Sequence, residues 1–368
     1  MIRKNKVLSV VMIGICLVAA GCGFTDHTST QSNMDSTSEK ESEDSASGKD
    51  NEVVATRDIF AMDTYMTLSA YGEHGEQAVE QAEQLIEELD ERLSTGNPES
   101  EISQLNRDGK AILSEETYAI LKQALSICEQ TDGAFHPAIY PLMELWGFPT
   151  KEFRVPDEKE IEQKCSLLDI EEIYLEDDTS MVSFGKEGMK VDLGGIAKGY
   201  TSSKVIDSMR EVGVTSALIN LGGNVQTLGT KPDGSLWHVA IRNPDENQEY
   251  LGVLETSDKA VITSGGYERY FEEDGIIYHH ILDPATGYPA NSGLTSVTIV
   301  SGDGMLADGL STSLFVMGID RATEFWRENG DMFDMILLTD QDQLYVTEGI
   351  AESFSSNYEF ETIYLRQR

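Results

Sequence analysis

The chain has 368 residues with 27 Lys+Arg against 65 Asp+Glu, a formal net charge of −38 and a pI near 4.3. Apolar residues at 40% are enough for a sizeable core, which excludes a disordered chain, a collagen-like repeat and a disulfide-stapled miniprotein. So large an acidic excess excludes nucleic acid as a partner, because phosphate backbones demand clustered Lys and Arg, but it leaves open a phosphate-bearing small molecule neutralised by a metal or backbone amides.

Residues 1–22 form a three-part leader: Arg3, Lys4 and Lys6, then an apolar run from Val7 to Ala20, then Gly21 and Cys22. The run is too short to cross about 30 Å of hydrocarbon as a helix, so it reads as a signal peptide. Small residues directly before Cys22 resemble a bacterial lipobox, with Cys22 as the lipidated N-terminus; ordinary secretory cleavage nearby is the alternative. Residues 23–52 are rich in Ser, Thr, Asp and Glu and bury nothing, as a flexible tether should. That tether carries −6 and residues 1–21 carry +3, which leaves −35 on the body, residues 53–368.

In the body, Ala78, Ala82, Leu85, Ile86, Leu89 and Leu93 recur at helical period over 76–93. Tyr118, Leu121, Leu125 and Cys128 do so over 115–130, after Ser114 as N-cap and before Asp132-Gly133. Two more helices are expected at about Ile196–Val212 and Met305–Met317. The β-rich runs are 62–71, 217–229, 236–242, 260–264, 276–282, 294–300, 333–339 and 343–347. Consecutive strands without intervening helices favour antiparallel pairing, hence an α+β fold in one elaborated domain or two joined lobes. Cys128 and Cys165 lack C-x-x-C spacing and read as free thiols rather than zinc ligands or a disulfide framework.

Four segments carry chemistry. V-D-L-G-G-I-A-K-G-Y at 191–200 puts Gly194 and Gly195 between a strand and a helix, a seat for an anion, with Asp192 before them and Lys198 one turn in. A tight turn that needs glycine is the alternative reading. A-D-G-L-S-T at 307–312 places Asp308 and Thr312 four apart on one helix face, two hard oxygen donors suited to Mg²⁺. Thr312 back-bonded to its own helix is the alternative. T-S-G-G-Y-E-R-Y at 263–270 and H-H-I-L-D-P-A-T-G-Y-P at 279–289 complete the set. In the last, His280 is either a general base or phosphate contact, or a histidine half-buried in a strand. No H-E-x-x-H and no G-x-S-x-G elbow occurs, so a zinc protease and a Ser-His-Asp hydrolase lack support.

In order and approximate spacing these segments resemble the FAD:protein FMN transferases, the ApbE family, from about Met62 to Met317 and further. L-S-T at 93–95, Ser103, Asn106 and T-D-G-A-F-H-P at 131–137 extend the likeness. The resemblance implies an α+β fold and a Mg²⁺-dependent reaction in which the FMN half of FAD moves to a Thr or Ser hydroxyl of an acceptor flavoprotein, with release of AMP. It implies Asp308, Thr312 and the Gly195 carbonyl as metal ligands, and Met62, Ala134, Phe135, His136, Asp192, Lys198 and Leu282 as FAD contacts. His280 falls on a histidine given a catalytic role. The chain departs from the family pattern at Asp63, Gly96 and His136. A FAD pyrophosphatase that yields FMN and AMP, and a non-enzymatic flavin-binding lipoprotein, are the rival functions. A lipid anchor at Cys22 would hold the protein on the extracytoplasmic side of the cell membrane, within reach of a membrane electron-transfer system as acceptor.

The leader predicts a mature protein that begins at Cys22 and carries lipid mass. Intact-mass measurement of the detergent-extracted protein checks this, and an unlipidated N-terminus at another residue contradicts it.

Overall fold

The computed structural model describes residues 54–245 and 250–366; the leader, Cys22 and the tether lie outside them. Its centre is a nine-stranded sheet whose strands lie side by side in chain order. They are Val54–Ala61, Thr64–Tyr71, Ala217–Leu221, Asn224–Leu228, Ala260–Gly265, Leu294–Ser301, Phe333–Thr339, Leu344–Thr347 and Phe360–Ile363. Every neighbouring pair is antiparallel except the last, which is parallel. The antiparallel α+β expectation therefore holds.

Among the described residues seven α-helices accompany the sheet: α1 Gly75–Leu93, α2 Glu101–Asp108, α3 Glu115–Gln130, α4 Tyr140–Trp146, α5 Glu158–Cys165, α6 Gly194–Glu211 and α7 Gly304–Asn329. Strand alternation divides the core. Ile262, Val297, Ile299, Met335 and Leu337 turn to one face, under Leu310, Leu314, Phe315 and Trp326 of α7. Val261, Val300, Ile336 and Leu338 turn to the other, under Val239, Ile241 and Leu254 of a second, three-stranded sheet. Covered on both faces, these strands read as near-continuous apolar runs, which made them legible. At the other end of the sheet Met66, Leu68 and Ile219 pack under Val79 and Ile86 of α1 and Val205 and Met209 of α6.

Expected boundaries held best where caps are explicit. Helix α3 matches 115–130 because the Ser114 side chain accepts from the Thr117 N–H. Three expectations needed correction. The strand expected over 276–282 ends at His279, which leaves His280 outside it. Run 217–229 is a hairpin that turns at Gly222-Gly223, with φ of 64° and 98°. Helix α7 runs twelve residues past the expected Met317, to Asn329, because Gly318 (φ 77°, ψ 172°) kinks the helix instead of ending it. The strand Val54–Ala61 went unrecognised; it is an outer strand whose Arg57 reaches Glu83 (2.6 Å) and Glu76 (2.9 Å) on α1. Its partner begins after Met62-Asp63, a turn with both residues at positive φ (49° and 60°). Asp tolerates that region, so the departure at Asp63 is sterically compatible with the turn.

Helices α6 and α7 cross almost backbone to backbone. A Cβ on Gly199 would stand 2.1 Å from the Gly304 carbonyl oxygen and 2.6 Å from Asp308 Cβ. Gly199→Ala is therefore predicted to destabilise the protein by about 1–3 kcal/mol through overpacking. Urea unfolding checks it: the midpoint should fall at unchanged slope.

Candidate functional site

The segment before α6 is set by side chains acting on backbone. Asn106 on α2 accepts from the Val191 N–H (2.7 Å) and donates to the Val191 carbonyl (2.8 Å), clamping that residue as a strand partner would. Asp192 follows; its N–H donates to the Pro137 carbonyl (2.8 Å), and its Oδ1 accepts from the Gly194 N–H (2.8 Å). One of the two glycine amides expected to hold an anion is thus already taken by Asp192. Phe135 lies over Gly195, where a Cβ would meet its ring at 2.9 Å. Here glycine is required by a close approach, not by a positive φ.

Asp308 is buried, and its Oδ2 accepts the Gly199 N–H over 2.8 Å. In a regular helix that amide would close on the Gly195 carbonyl. Burial pushes the Asp308 carboxyl above its ordinary range, while Lys198, the Gly199 amide and the Asn224 side chain pull it back. One turn further, the Thr312 hydroxyl stands 3.4 Å from Ser264 Oγ, which itself pairs with Ser311 Oγ at 2.8 Å. Asp308, Thr312 and the Gly195 carbonyl offer only hard oxygen donors, the chemistry that Mg²⁺ takes. Among the described residues no cluster of three His, Cys, Asp or Glu could hold a metal, so any ion here would take one carboxylate and fill its shell with neutral oxygens and substrate. The buried Asn224 Nδ2 faces the same carboxylate and draws its pKa down, although no acceptor meets it in full hydrogen-bond geometry. The residues fit the ion.

Lys198 ties the rest together. Its charge acts on Asp192, Asp308, His280 and Glu268. His280 is half-buried, with Nδ1 3.2 Å from the Arg269 carbonyl, which fits a Nδ1–H donor and leaves Nε2 bare. Burial first, then the charges of Arg269, His279 and Lys198, push its pKa down to about 3, so the ring is neutral at physiological pH. Burial pushes the Asp192 carboxyl up against the pull of the Gly194 amide, Arg269 and Lys198.

Three expected residues stand differently. Met62 sits at the first hairpin tip, its N–H donating to Asp90 Oδ2 (3.0 Å), and packs toward α1 and α6. Leu282 buries its side chain among Leu142, Leu145, Trp146 and Ile161, so only its backbone, bridged to Pro289, is left for a ligand. His136 accepts from the Ala138 N–H through Nδ1 (3.2 Å) and feels Asp169 rather than Lys198. Ala134 is buried beside it in the same turn. Gly96 lies in an exposed loop with only Ser94 Oγ within reach.

Sequence reasoning assigned no role to Glu268, Arg269, Tyr267, Arg242 or Asn224. Dense surrounding protein pushes the Glu268 carboxyl up although the side chain opens to solvent, while Lys198, Arg269 and Arg242 pull it down. Arg242 lies 5.0 Å from the Tyr267 ring centroid. The Y-E-R triplet itself was the available signal, a charged pair beside paired glycines. Arg242 and Asn224 reach the site only through strand register and had none.

A mostly antiparallel α+β sheet that gathers Lys198, Arg269 and Arg242 around Glu268, with a neutral imidazole beside Arg269, frames the site. The ApbE family model matches residues 62–337, and the chain belongs to that family. It is 35% identical over 294 residues to an FAD:protein FMN transferase of Klebsiella pneumoniae (strain 342), covering 79% of this chain and 90% of that one. It is 34% identical over 268 residues to an FAD:protein FMN transferase of Treponema pallidum (strain Nichols), covering 68% and 74%. The ApbE protein of Thermotoga maritima superposes with TM-score 0.76 at 31% identity, over 81% of this chain and 98% of that structure. The flavin transferase ApbE of Vibrio cholerae does so with TM-score 0.73 at 28% identity, over 81% and 98%.

Burial pushes the His136 pKa down to about 4, against the opposite pull of Asp169. A depressed histidine leaves the unfolded chain binding more protons, so its contribution is full above about pH 6.5 and is lost as pH falls toward 4. His136→Gln is predicted to flatten the fall in urea midpoint between pH 7 and pH 4.5; an unchanged profile contradicts the burial.

Proposed function

We propose that this protein is an FAD:protein FMN transferase that moves FMN from FAD onto a Thr or Ser hydroxyl of an acceptor flavoprotein and releases AMP, with Mg²⁺ required. The carrying observation is the buried Asp308 carboxylate held by the Gly199 N–H beside Lys198, whose charge also reaches a neutral His280. The acceptor oxygen forms a bond to the FMN phosphorus, the bond from that phosphorus to the bridging oxygen breaks, and AMP departs with that oxygen. The hydroxyl proton passes to His280 Nε2, a role worth about 10²–10⁴-fold.

A chain of net charge −38 would repel a diphosphate in bulk. Lys198, Arg269 and Arg242 supply the opposite local field, and all three act on Glu268 between them. Mg²⁺, held by Asp308, Thr312 and the Gly195 carbonyl, would neutralise developing charge on the phosphoryl oxygens. Asp192 fixes the start of α6 through Gly194, while Phe135 covers Gly195 and keeps water from that side. The reading extends to place: a lipid on Cys22 and the tether 23–52 would hold the domain of residues 53–368 at the extracytoplasmic membrane face, where a membrane electron-transfer flavoprotein is the natural acceptor.

The test measures AMP release from FAD by the full-length protein with Mg²⁺, with and without a Thr-bearing acceptor domain, alongside mass spectrometry of the acceptor. AMP that requires the acceptor, with a mass gain equal to covalent FMN, is expected, and Asp308→Ala should lose more activity than removal of the base, above about 10⁴-fold. AMP at equal rate without acceptor would make the protein a pyrophosphatase. Bound FAD without AMP in either sample would make it a flavin carrier.

A further inference from the structure

The hairpin of Tyr270–Glu273 and Ile276–His279 grows directly out of the cleft. Arg269 leads into its first strand and His280 leaves its second, and the His280 N–H donates to the Arg269 carbonyl over 3.0 Å. Its register pairs Phe271 with Tyr278, and pairs Tyr270 with His279 and Glu272 with Ile277. Adjacent pairs face opposite sides, so the hairpin has two distinct faces.

One face is buttressed. Phe271 stacks on Phe153 at 5.1 Å and on Tyr278 at 5.2 Å, and Trp146 lies 5.4 Å from Tyr278. On the other face Tyr270 is 49% and Ile277 58% exposed beside the exposed Glu272, while His279 at its base is half-buried against Phe315; Ile276, 55% exposed, stands at the tip on the Phe271 side. Among the described residues neither strand pairs beyond the hairpin. A hairpin this short is marginal alone, so the aromatic packing is what holds two bare apolar side chains, Tyr270 and Ile277, and free backbone edges out to solvent. Bare apolar residues gathered beside a cleft mark a surface that something covers.

We propose that this bare face and its adjoining edge receive the acceptor segment that carries the hydroxyl to be flavinylated. The inference rests on the transferase reading. An acceptor oxygen has to come within about 3–3.5 Å of the phosphorus it attacks. The residues flanking that oxygen then lie on whatever surface adjoins His280, and this hairpin begins one residue away. An extended segment fits best: its backbone pairs with a free edge and its apolar side chains cover Tyr270 and Ile277. Glu272, Glu273 and Asp274 on the same hairpin select neutral or basic flanks over acidic ones.

The test compares FMN transfer to a purified Thr-bearing acceptor domain by the full-length wild type, Ile277→Asp, Tyr270→Asp and Ile112→Asp. Ile112 is also a bare apolar residue, 71% exposed, on another sheet. The two hairpin variants should raise the acceptor KM about tenfold, as loss of an anchoring contact does. Their FAD affinity, read from flavin fluorescence, and their Tm should match wild type, and Ile112→Asp should change nothing. Acceptor KM at the wild-type value in both hairpin variants overturns the surface. So does an equal loss of FAD affinity, which would assign the hairpin to the flavin instead. Wild-type protein that transfers no FMN overturns the transferase reading and this surface with it.

Discussion

The contact between α6 and α7 at Gly199 is the constraint from which the site follows. With no side chain at Gly199 and none at Gly304, the two backbones approach until the Gly199 amide can be spent on Asp308. A buried carboxylate is costly unless hydrogen-bonded and paired. Here one N–H, the Lys198 charge and the Asn224 side chain offset that cost, and all three depend on the crossing or the strand beneath it. Any residue larger than glycine at position 199 would separate the helices and move Asp308 away from Lys198. Packing and chemistry are therefore set by the same few atoms.

Charge is the second organising theme. The chain as a whole is strongly acidic, yet Lys198, Arg269 and Arg242 converge where the strand tips meet. The tips touch: a Cβ on Gly222 would strike Thr64, which follows the Met62-Asp63 turn, and one on Gly223 would lie 3.9 Å from Glu268 Oε1. Two hairpin ends, the Y-E-R segment and the start of α6 thus share one rim. A small positive centre within an acidic surface would favour an anion locally while the surroundings repel polyanions at longer range.

Much of this was legible because the signals were local. Ser114 and Asp132-Gly133 bound α3 to the residue, and the strands under α7 announced themselves as apolar runs because both faces are covered. Asp308 and Thr312 could be read from four-residue spacing, and Thr312 does turn to Ser264 rather than back onto its own helix. What escaped is non-local. Asn224 and Arg242 arrive through strand pairing, Leu282 turns its side chain into an aromatic cluster, and His136 is drawn to Asp169. The kink at Gly318 looked like a helix end because a glycine at positive φ serves both purposes. Cys128 and Cys165 are free thiols, and burial holds the Cys128 thiol up at about 12, the inert state of a core cysteine.

Two kinds of cause hold the His280 pKa down. Burial comes first, and the charges of Arg269 and Lys198 add to it. An anion beside those two cations would offset part of the charge effect, while a divalent ion bound with it would act the other way. Burial remains in either case and keeps the ring neutral, with Nδ1 directed to the Arg269 carbonyl and Nε2 open to accept. Because the same Arg269 and His280 are the two feet of the Tyr270–His279 hairpin, a segment lying along that hairpin would run beside the imidazole.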